Sequence, residues 1–388
     1  ENVAYINCDD ESRVKDMFMP DYDMERILLS IQVITGVKVV PGKTLVILDE
    51  IQEVERGLHS LKYFYEKIPE CHVMVAGSLL GITLRKGESF PVGKVDILNM
   101  YPMNFPEFLD ATGNQELNGI ICSREWKVID LMKDKLENLL RQYHFVGGMP
   151  NVVSKYVENG DVHEVRREQE AIMDAYRRDI SKHTTEREAI RIGQVLDSLP
   201  SQLAKENKKF IYGAVRKGAR AADFELAIQW LVDAGIVHRV PRISEARMPL
   251  KFYASPDAFK MFLLDCGLLG CMTDTTAADM LIDNKVFTEF KGAFSEQFVA
   301  QELVSMGVKP YYWSNDRTPA KIDFVIQHNG KVVPIEVKAS TNVRSKSLAQ
   351  FVKDNEGLKG LRLSLCQYID QEWMENVPLY AFYGHLHR

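Results

Sequence analysis

The Asn329-Gly330 pair constrains the C-terminal part of the chain more tightly than any other short stretch of the sequence. It separates two apolar runs, residues 322–327 and 331–339. Asn-Gly is the favoured sequence for a two-residue type I′ turn, which predicts a β-hairpin. Counting outward from that turn places Asp323 directly opposite Glu336. Pro334 cannot donate a ladder hydrogen bond, so a bulge could shift this register.

The opposed acids and a nearby lysine point to metal chemistry. Two like charges at directly opposed strand positions are destabilising, and a divalent cation between them would remove the repulsion. Lys338 follows Glu336 by two residues and shares its face. This set resembles the PD-(D/E)xK nuclease pattern. The resemblance implies that Asp323 and Glu336 bind Mg²⁺, that Glu296 from the preceding helix completes the metal shell, and that Lys338 orients or deprotonates water. The alternative is a surface ion pair on an ordinary strand.

The N-terminal part alternates strands and helices. Short apolar runs at residues 3–8, 44–48 and 72–76 predict strands, and residues 23–35 and 58–68 show apolar spacing typical of amphipathic helices. Such alternation predicts βαβ units and a parallel sheet, and the continuous apolar runs favour strands that are covered on both faces.

Asp49 and Glu50 end the strand at 44–48, where open α/β sheets bind ligands. In a nucleotide hydrolase Asp49 would hold Mg²⁺ through water, Glu50 would polarise the attacking water, and Ser78, after the next strand, would sense the terminal phosphate. The alternative is a buried strand that happens to end in acids. The Gly42-Lys43-Thr44 triplet is not a phosphate loop, because it leads into a strand instead of a helix N-terminus.

Several stretches in order resemble a prokaryotic family of AAA+ ATPases that carry a C-terminal domain of unknown function. They are INCDD, TLVILDEIQ, LKYFYE, VAGSLL, FPVGKV, YPMNFPEFL and VGGMP, and they fall within residues 1–185. The resemblance implies ATP and Mg²⁺ as cofactors and a phosphate loop upstream of the first strand. The chain begins at Glu1 without that loop, so we expect this chain by itself to bind ATP weakly or not at all. Lys94 stands where relatives often have arginine.

The middle of the chain is helical, with a basic stretch between two helices at 188–205 and 221–234. Helix, basic turn, helix and a short β-ribbon resemble a winged helix, which favours DNA contact. Winged helices also serve as protein contacts, and the second helix carries acids but no base, so both interpretations stay open. The candidate nucleic-acid-binding residues are Lys208, Lys209, Arg216, Lys217 and Arg220.

Together these patterns predict an α/β multidomain protein. Its parts are a parallel P-loop-type sheet with a helical lid, a winged-helix-like middle and a restriction-endonuclease-like α/β C-terminal domain. The expected limits are residues 1–110 for the ATPase core, 111–186 for the lid, 187–255 for the middle and 256–388 for the nuclease-like domain.

Composition excludes some classes of protein. A net charge of −6 excludes a wholly basic nucleic-acid coat, and no apolar run is long enough for a membrane span. Six scattered cysteines without metal spacing favour free thiols and a cytoplasmic location. We expect either an ATPase that acts on DNA through a Mg²⁺-dependent nuclease, or a non-catalytic binding or regulatory protein that keeps the nuclease fold as a scaffold. A homo-oligomer is compatible with either.

Overall fold

The chain forms two compact units. The computed structural model describes residues 2–10, 12–19, 21–77, 93–205, 207–281, 288–339 and 344–387. The first unit contains residues 1–100 and 233–235, and the second contains residues 101–232 and 236–388. Across the described ranges, no helix has the length and apolar character needed to cross a bilayer.

The first unit contains a three-stranded parallel sheet, as the alternation of strands and helices predicts. Its strands are β1 (Asn2–Asn7), β2 (Thr44–Asp49) and β3 (His72–Val75), with β2 in the centre. Helices Met24–Thr35 and Gly57–Lys67 lie between successive strands. Asp23 caps the first helix by accepting hydrogen bonds from the Glu25 and Arg26 amides.

The two faces of this sheet differ in burial. Ala4, Ile6, Val46 and Leu48 have at most 2% of their surface exposed, whereas Val3, Tyr5 and Met74 are between 44% and 52% exposed. The expectation that the strands are covered on both faces is therefore wrong for the described residues. The sequence misleads here because successive side chains of a strand point to opposite faces, and apolar residues occupy both.

The second unit contains one mixed eight-stranded sheet, with strand order β10-β11-β9-β8-β7-β6-β4-β5. Strands β4 and β5 are antiparallel, β6 to β8 form an antiparallel meander, and β9 and β11 add parallel to β8. The strands are β4 (Val237–Ile243), β5 (Ala254–Leu263), β6 (Tyr311–Ser314), β7 (Lys321–His328), β8 (Lys331–Val337), β9 (Gly360–Ser364), β10 (Ile369–Asp370) and β11 (Met374–Pro378).

The strands of the predicted middle domain belong to this same sheet. Strand β4 pairs in parallel with β6 through Arg242 and Ile243. The expected domain limit at residues 255 and 256 falls inside β5, because that strand begins at Ala254. The middle block and the C-terminal block therefore share one hydrogen-bonded sheet.

The hairpin register is the one predicted from the Asn-Gly turn. His328 pairs with Lys331, and the pairing continues without a shift to Phe324 and Ile335. Asn329 and Gly330 have φ values of 47° and 71°, which is the left-handed pair that a type I′ turn requires.

Helices fill most of residues 105–233 and flank the sheet elsewhere. Residues 126–146 form two helices, which meet at Met132 with φ −95° and ψ 6°. The helices after residue 100 are Phe105–Ala111, Gln115–Ser123, Trp126–Leu131, Lys133–Val146, Pro150–Asn159, Val162–His183, Glu186–Leu203, Tyr212–Val215, Ala221–Asp233, Cys266–Met272, Ala277–Leu281, Thr288–Ser305, Lys346–Asp354 and Phe382–Leu386.

Buried hydrogen bonds join residues of the predicted ATPase core and of the predicted lid to the C-terminal elements. The Gly148 amide donates to Asp265 Oδ2 at 2.6 Å, and the Phe105 amide donates to Glu302 Oε1 at 2.8 Å. Both acids have 0% of their surface exposed. A buried carboxylate needs such donors, so these contacts hold the two regions in one unit.

Candidate functional sites

Asp49 is the last residue of the central strand of the parallel sheet. Its Oδ2 accepts a hydrogen bond from the Tyr5 hydroxyl at 2.8 Å, and its Oδ1 accepts one from the Glu50 amide at 3.1 Å. Burial, followed by the charges of Asp49 and Glu50, raises the pKa of the Cys8 thiol to about 11. Among the described residues Asp49 has no cationic partner, so its oxygens keep lone pairs for a ligand.

Glu50 turns the chain sharply out of the strand. Its φ of 52° lies in the left-handed region, which is uncommon for a residue with a side chain. A short helical turn follows at Ile51–Glu53, and the Ile51 amide donates to the Ala76 carbonyl beyond the end of β3 at 3.1 Å. Backbone strain of this kind is concentrated at functional sites. Ser78, the proposed phosphate sensor, lies outside the described residues.

Asp323 and Glu336 occupy the facing strands of the β7–β8 hairpin, and each has 5% of its surface exposed. Asp323 Oδ2 accepts a hydrogen bond from the Val337 amide at 3.0 Å. Burial and the charge of Glu296 raise the pKa of Asp323, although Lys260 and Lys321 oppose that change. Asp323 and Glu336 are therefore both buried on the hairpin, and Asp323 interacts electrostatically with Glu296.

Glu296 lies between two buried lysines. Lys208 Nζ lies 2.5 Å from Glu296 Oε1, and Lys260 Nζ lies 3.1 Å from Glu296 Oε2. All three side chains are at most 7% exposed. Burial raises the pKa of Glu296, but Lys260, Lys208 and Lys321 outweigh it and lower the pKa to about 2. Glu296 is therefore ionised and already has two cationic partners.

Glu336 has a lysine partner of its own. Lys338 Nζ lies 2.8 Å from Glu336 Oε1, and the Lys338 side chain is 32% exposed. Glu336 Oε2 is buried, and within the described part of the chain it accepts no hydrogen bond. Arg362 pairs with Glu336 in the β8–β9 register. Positive side chains therefore approach Glu336 along its own strand and from the neighbouring one.

This acid set does not fit a divalent cation. Mg²⁺ needs close to six oxygen ligands in an octahedron at about 2.1 Å. Both oxygens of Glu296 and one oxygen of Glu336 face ammonium groups instead. Over the described ranges, no three His, Cys, Asp or Glu side chains are grouped to hold a metal.

Lys260 belongs to the buried cluster around Glu296, although no sequence motif predicted it. It lies in β5 with 2% exposure, and besides Glu296 its Nζ donates to the Asp323 carbonyl at 3.2 Å. The Tyr312 and Phe324 rings lie 5.1 and 5.5 Å from it. The available signal was a single lysine within the apolar run AFKMFLL, since a buried lysine requires an acidic partner.

The five predicted nucleic-acid-binding residues differ in how far they are exposed to solvent. Lys208 is 7% exposed and is committed to Glu296, so it cannot lie on a DNA-binding surface. Arg216, Lys217 and Arg220 are exposed in the loop that precedes helix Ala221–Asp233, and Lys209 is half-buried. The loop therefore presents three cations to solvent.

The N-terminal part of the chain matches the sequence model of a known protein family. Residues 1–109 match the sequence model of a family described as "AAA domain". This part of the chain is similar to AAA ATPase domains. Residues 137–279 match "Domain of unknown function (DUF8612)", and residues 291–382 match "Domain of unknown function (DUF4143)". No curated protein sequence gives a significant match.

One solved structure with a distant likeness is a Walker-type ATPase of Pyrococcus abyssi. It shares 12% sequence identity, with a TM-score of 0.41 over 70% of this chain and 84% of that chain. The AAA family match includes residues 1–100 of the first unit, which we call the AAA-like unit. The DUF8612 match spans both ends of the predicted winged-helix-like region, 187–255, and these domain limits stay predictions.

Proposed function

We propose that the chain is a nucleotide-dependent regulatory protein, in which the AAA-like unit binds ATP with Mg²⁺ and the second unit binds DNA without cutting it. One contrast between the two acid sites carries this proposal. Asp49 has no cationic partner among the described residues, whereas Glu296 lies between Lys208 and Lys260. The first site can still accept a metal, and the second is already neutralised.

Asp49 and Glu50 have the donor set that Mg²⁺-ATP chemistry needs. In the proposed site Asp49 holds the cation through water, Glu50 polarises the attacking water, and Ser78 contacts the terminal phosphate. Bound Mg²⁺ supplies neutralisation of the charge that develops on the transferred phosphoryl group. The sequence contains no GxxxxGK[ST] loop to hold the phosphates, so we expect ATP affinity to be weak.

Calorimetry with Mg²⁺ and ATP tests this site. We expect weak binding, with Kd above about 100 μM, and a further loss in Asp49→Asn. Glu50→Gln should keep the binding but lose any hydrolysis, and the exposed Glu55→Gln serves as the control. Tight stoichiometric binding would contradict the expected weak affinity, and no binding or equal affinity in Asp49→Asn would contradict the proposed site.

The order of elements supports a nuclease-like fold for the C-terminal part. Helix Thr288–Ser305 is followed by the meander β6–β8, then by helix Lys346–Asp354 and the parallel strand β9. The acids lie on this meander at the positions of the PD-(D/E)xK pattern. Folds are also kept for binding after catalysis is lost, and the lysine partners of Glu296 and Glu336 favour that outcome here.

The exposed loop 216–220 supports DNA binding. Three helices, Glu186–Leu203, Tyr212–Val215 and Ala221–Asp233, precede the antiparallel pair of β4 and β5, which is the order of a winged helix. Arginine and lysine on such a loop contact phosphates, and each contact contributes to the salt dependence of binding. We further propose a cytoplasmic location, on the basis of the six free cysteines.

Two assays test the second unit. Fluorescence anisotropy with duplex DNA should show salt-sensitive binding, and the double variant Arg216→Ala/Arg220→Ala should flatten the salt slope by about two. The exposed Lys353→Ala, on a distant helix, is the matched control. Incubation of supercoiled plasmid with Mg²⁺ should give no nicking. Nicking that disappears in Lys338→Ala would show that the acid set is catalytic and would refute the non-cleaving role.

A further inference from the structure

A pocket with cationic walls opens at the turn end of the β7–β8 hairpin. Its volume is about 490 Å³, within the range of sites for small ligands. Its walls come from the end of helix Gln115–Ser123, the hairpin turn, β9, β11 and the last helix. The charged and titratable side chains that line it are Arg124, His328, Lys331, Lys359, Glu375 and His385.

The charge of this pocket is opposite to that of the whole chain. Arg124, Lys331 and Lys359 are permanent cations at neutral pH, and Glu375 is the one carboxylate among the lining residues. The complete chain carries a net charge of −6. A local excess of positive charge in an acidic protein needs a structural reason or an anionic ligand.

Internal ion pairs account for only part of this excess. Lys359 Nζ lies 2.8 Å from Glu375 and 2.6 Å from Asp370, and His385 Nε2 lies 3.3 Å from Glu375. These contacts satisfy Lys359. Lys331, in contrast, is exposed on the hairpin turn and has no carboxylate partner in the described part of the chain.

Arg124 is held in place at the wall of the pocket. Its φ of 59° ends helix Gln115–Ser123, and its Nε donates to the Gly384 carbonyl at 3.0 Å. A second guanidinium nitrogen donates to the His385 carbonyl. Two fixed bonds orient the planar group before any ligand arrives, which lowers the entropic cost of binding an oxyanion.

An aromatic pair stands beside the cations. The Trp126 and Tyr368 rings are stacked at 4.1 Å with an angle of 5°, and the Trp126 ring lies 6.1 Å from His385. Trp126 is two residues from Arg124, so the pair adjoins the basic wall. Neither ring lines the pocket itself, so the aromatic or sugar group of a ligand would have to extend past His385 to reach the pair.

We propose that this pocket is a binding site for a phosphate monoester of nucleotide size. A phosphate monoester would bring negative charge to Lys331, which has no carboxylate partner in the described part of the chain, beside the Arg124 guanidinium. The site is separate from the buried acids, because His328 lies five positions along β7 from Asp323, roughly 17 Å of strand. The proposal does not depend on the ATP or DNA roles proposed above.

Calorimetry on the complete chain tests the pocket with inorganic phosphate, adenosine monophosphate and a short single-stranded DNA as probes. We expect saturable binding of phosphate or adenosine monophosphate with Kd of about 1 mM or tighter. Lys331→Glu should weaken it at least about tenfold, because the reversed charge repels the anion. Glu375→Gln should strengthen it, because Lys359 would lose a competing carboxylate. Lys353→Ala, an exposed lysine outside the pocket, should bind as the wild type does.

The outcomes separate the possible phosphate sources. Binding of both small probes supports a site for the phosphate group itself, and binding of adenosine monophosphate alone supports a nucleotide site. Either result requires sensitivity to Lys331→Glu, which also excludes binding at Asp49. No saturation by about 10 mM, binding only of the DNA, or equal affinity in Lys331→Glu would overturn the proposal.

Discussion

Glu296→Gln is the substitution that most directly probes the buried ion cluster. Glutamine keeps the shape of the side chain but removes the negative charge that lies between Lys208 and Lys260. Both lysines are at most 7% exposed and cannot reach water without moving the surrounding core. We therefore expect a large loss of stability instead of a small surface effect.

Two independent arguments give a similar size for this loss. Breaking a buried ion pair by removing one partner costs about 3–5 kcal/mol. The Glu296 pKa, lowered from 4.5 to about 2, corresponds to about 3 kcal/mol of favourable interaction at neutral pH. Because the folded pKa is lowered, this stability is present above pH 4.5 and is lost as pH falls towards 2.

Tryptophan fluorescence reports on the unfolding of the second unit, which contains Glu296. All four tryptophans, Trp126, Trp230, Trp313 and Trp373, lie in the second unit, so urea unfolding followed by their emission measures that unit. We expect Glu296→Gln to lower the free energy of unfolding by about 3 kcal/mol or more at pH 7. The exposed Glu356→Gln should leave it within about 0.5 kcal/mol of wild type. A change for Glu296→Gln as small as that of the control would refute the ion cluster.

Three further substitutions should change the stability of the second unit. Burial and the charge of Glu107 raise the pKa of Glu302 from 4.5 to about 8, so the folded state holds the proton more tightly and stability falls as pH rises between these values. Glu302→Gln should remove that fall, about 5 kcal/mol in all, in urea unfolding at pH 5 and pH 8.5. Gly148→Ala should cost about 1–3 kcal/mol or more, because its Cβ would lie 2.0 Å from the Met103 carbonyl. Gly193→Ala, in a helix with open space, should stabilise by up to about 1 kcal/mol in the same assay.

Local signals predicted the hairpin and the first sheet well. A two-residue turn leaves few choices of register, so the opposed positions of Asp323 and Glu336 followed from Asn329 and Gly330. Such features involve residues close in sequence, and their geometry does not depend on the rest of the fold.

Contacts between distant segments could not be predicted in the same way. Lys208 had the appearance of a phosphate-binding residue because it stands in a basic stretch, yet its partner, Glu296, is 88 residues away. Hydrophobic periodicity predicts that a segment is buried, but it does not say which charge lies against which. The pairing of β4 with β6 is also a contact between distant segments. It joins the middle and C-terminal blocks, which the sequence pattern predicted as separate domains.

The origins of the three charges explain why a nuclease-like pattern remains in a site that does not fit a metal. Lys208 comes from a loop before the sheet, Lys260 from β5 and Glu296 from the long helix, and all three are buried where they meet. Loss of any one leaves buried charge uncompensated, so the three residues stabilise the unit only as a set. The acidic pattern can therefore be retained for folding, independently of catalysis. It follows that the lysine partners of Glu296, and not the Asp323, Glu336 and Lys338 pattern by itself, determine which chemistry this buried site can support.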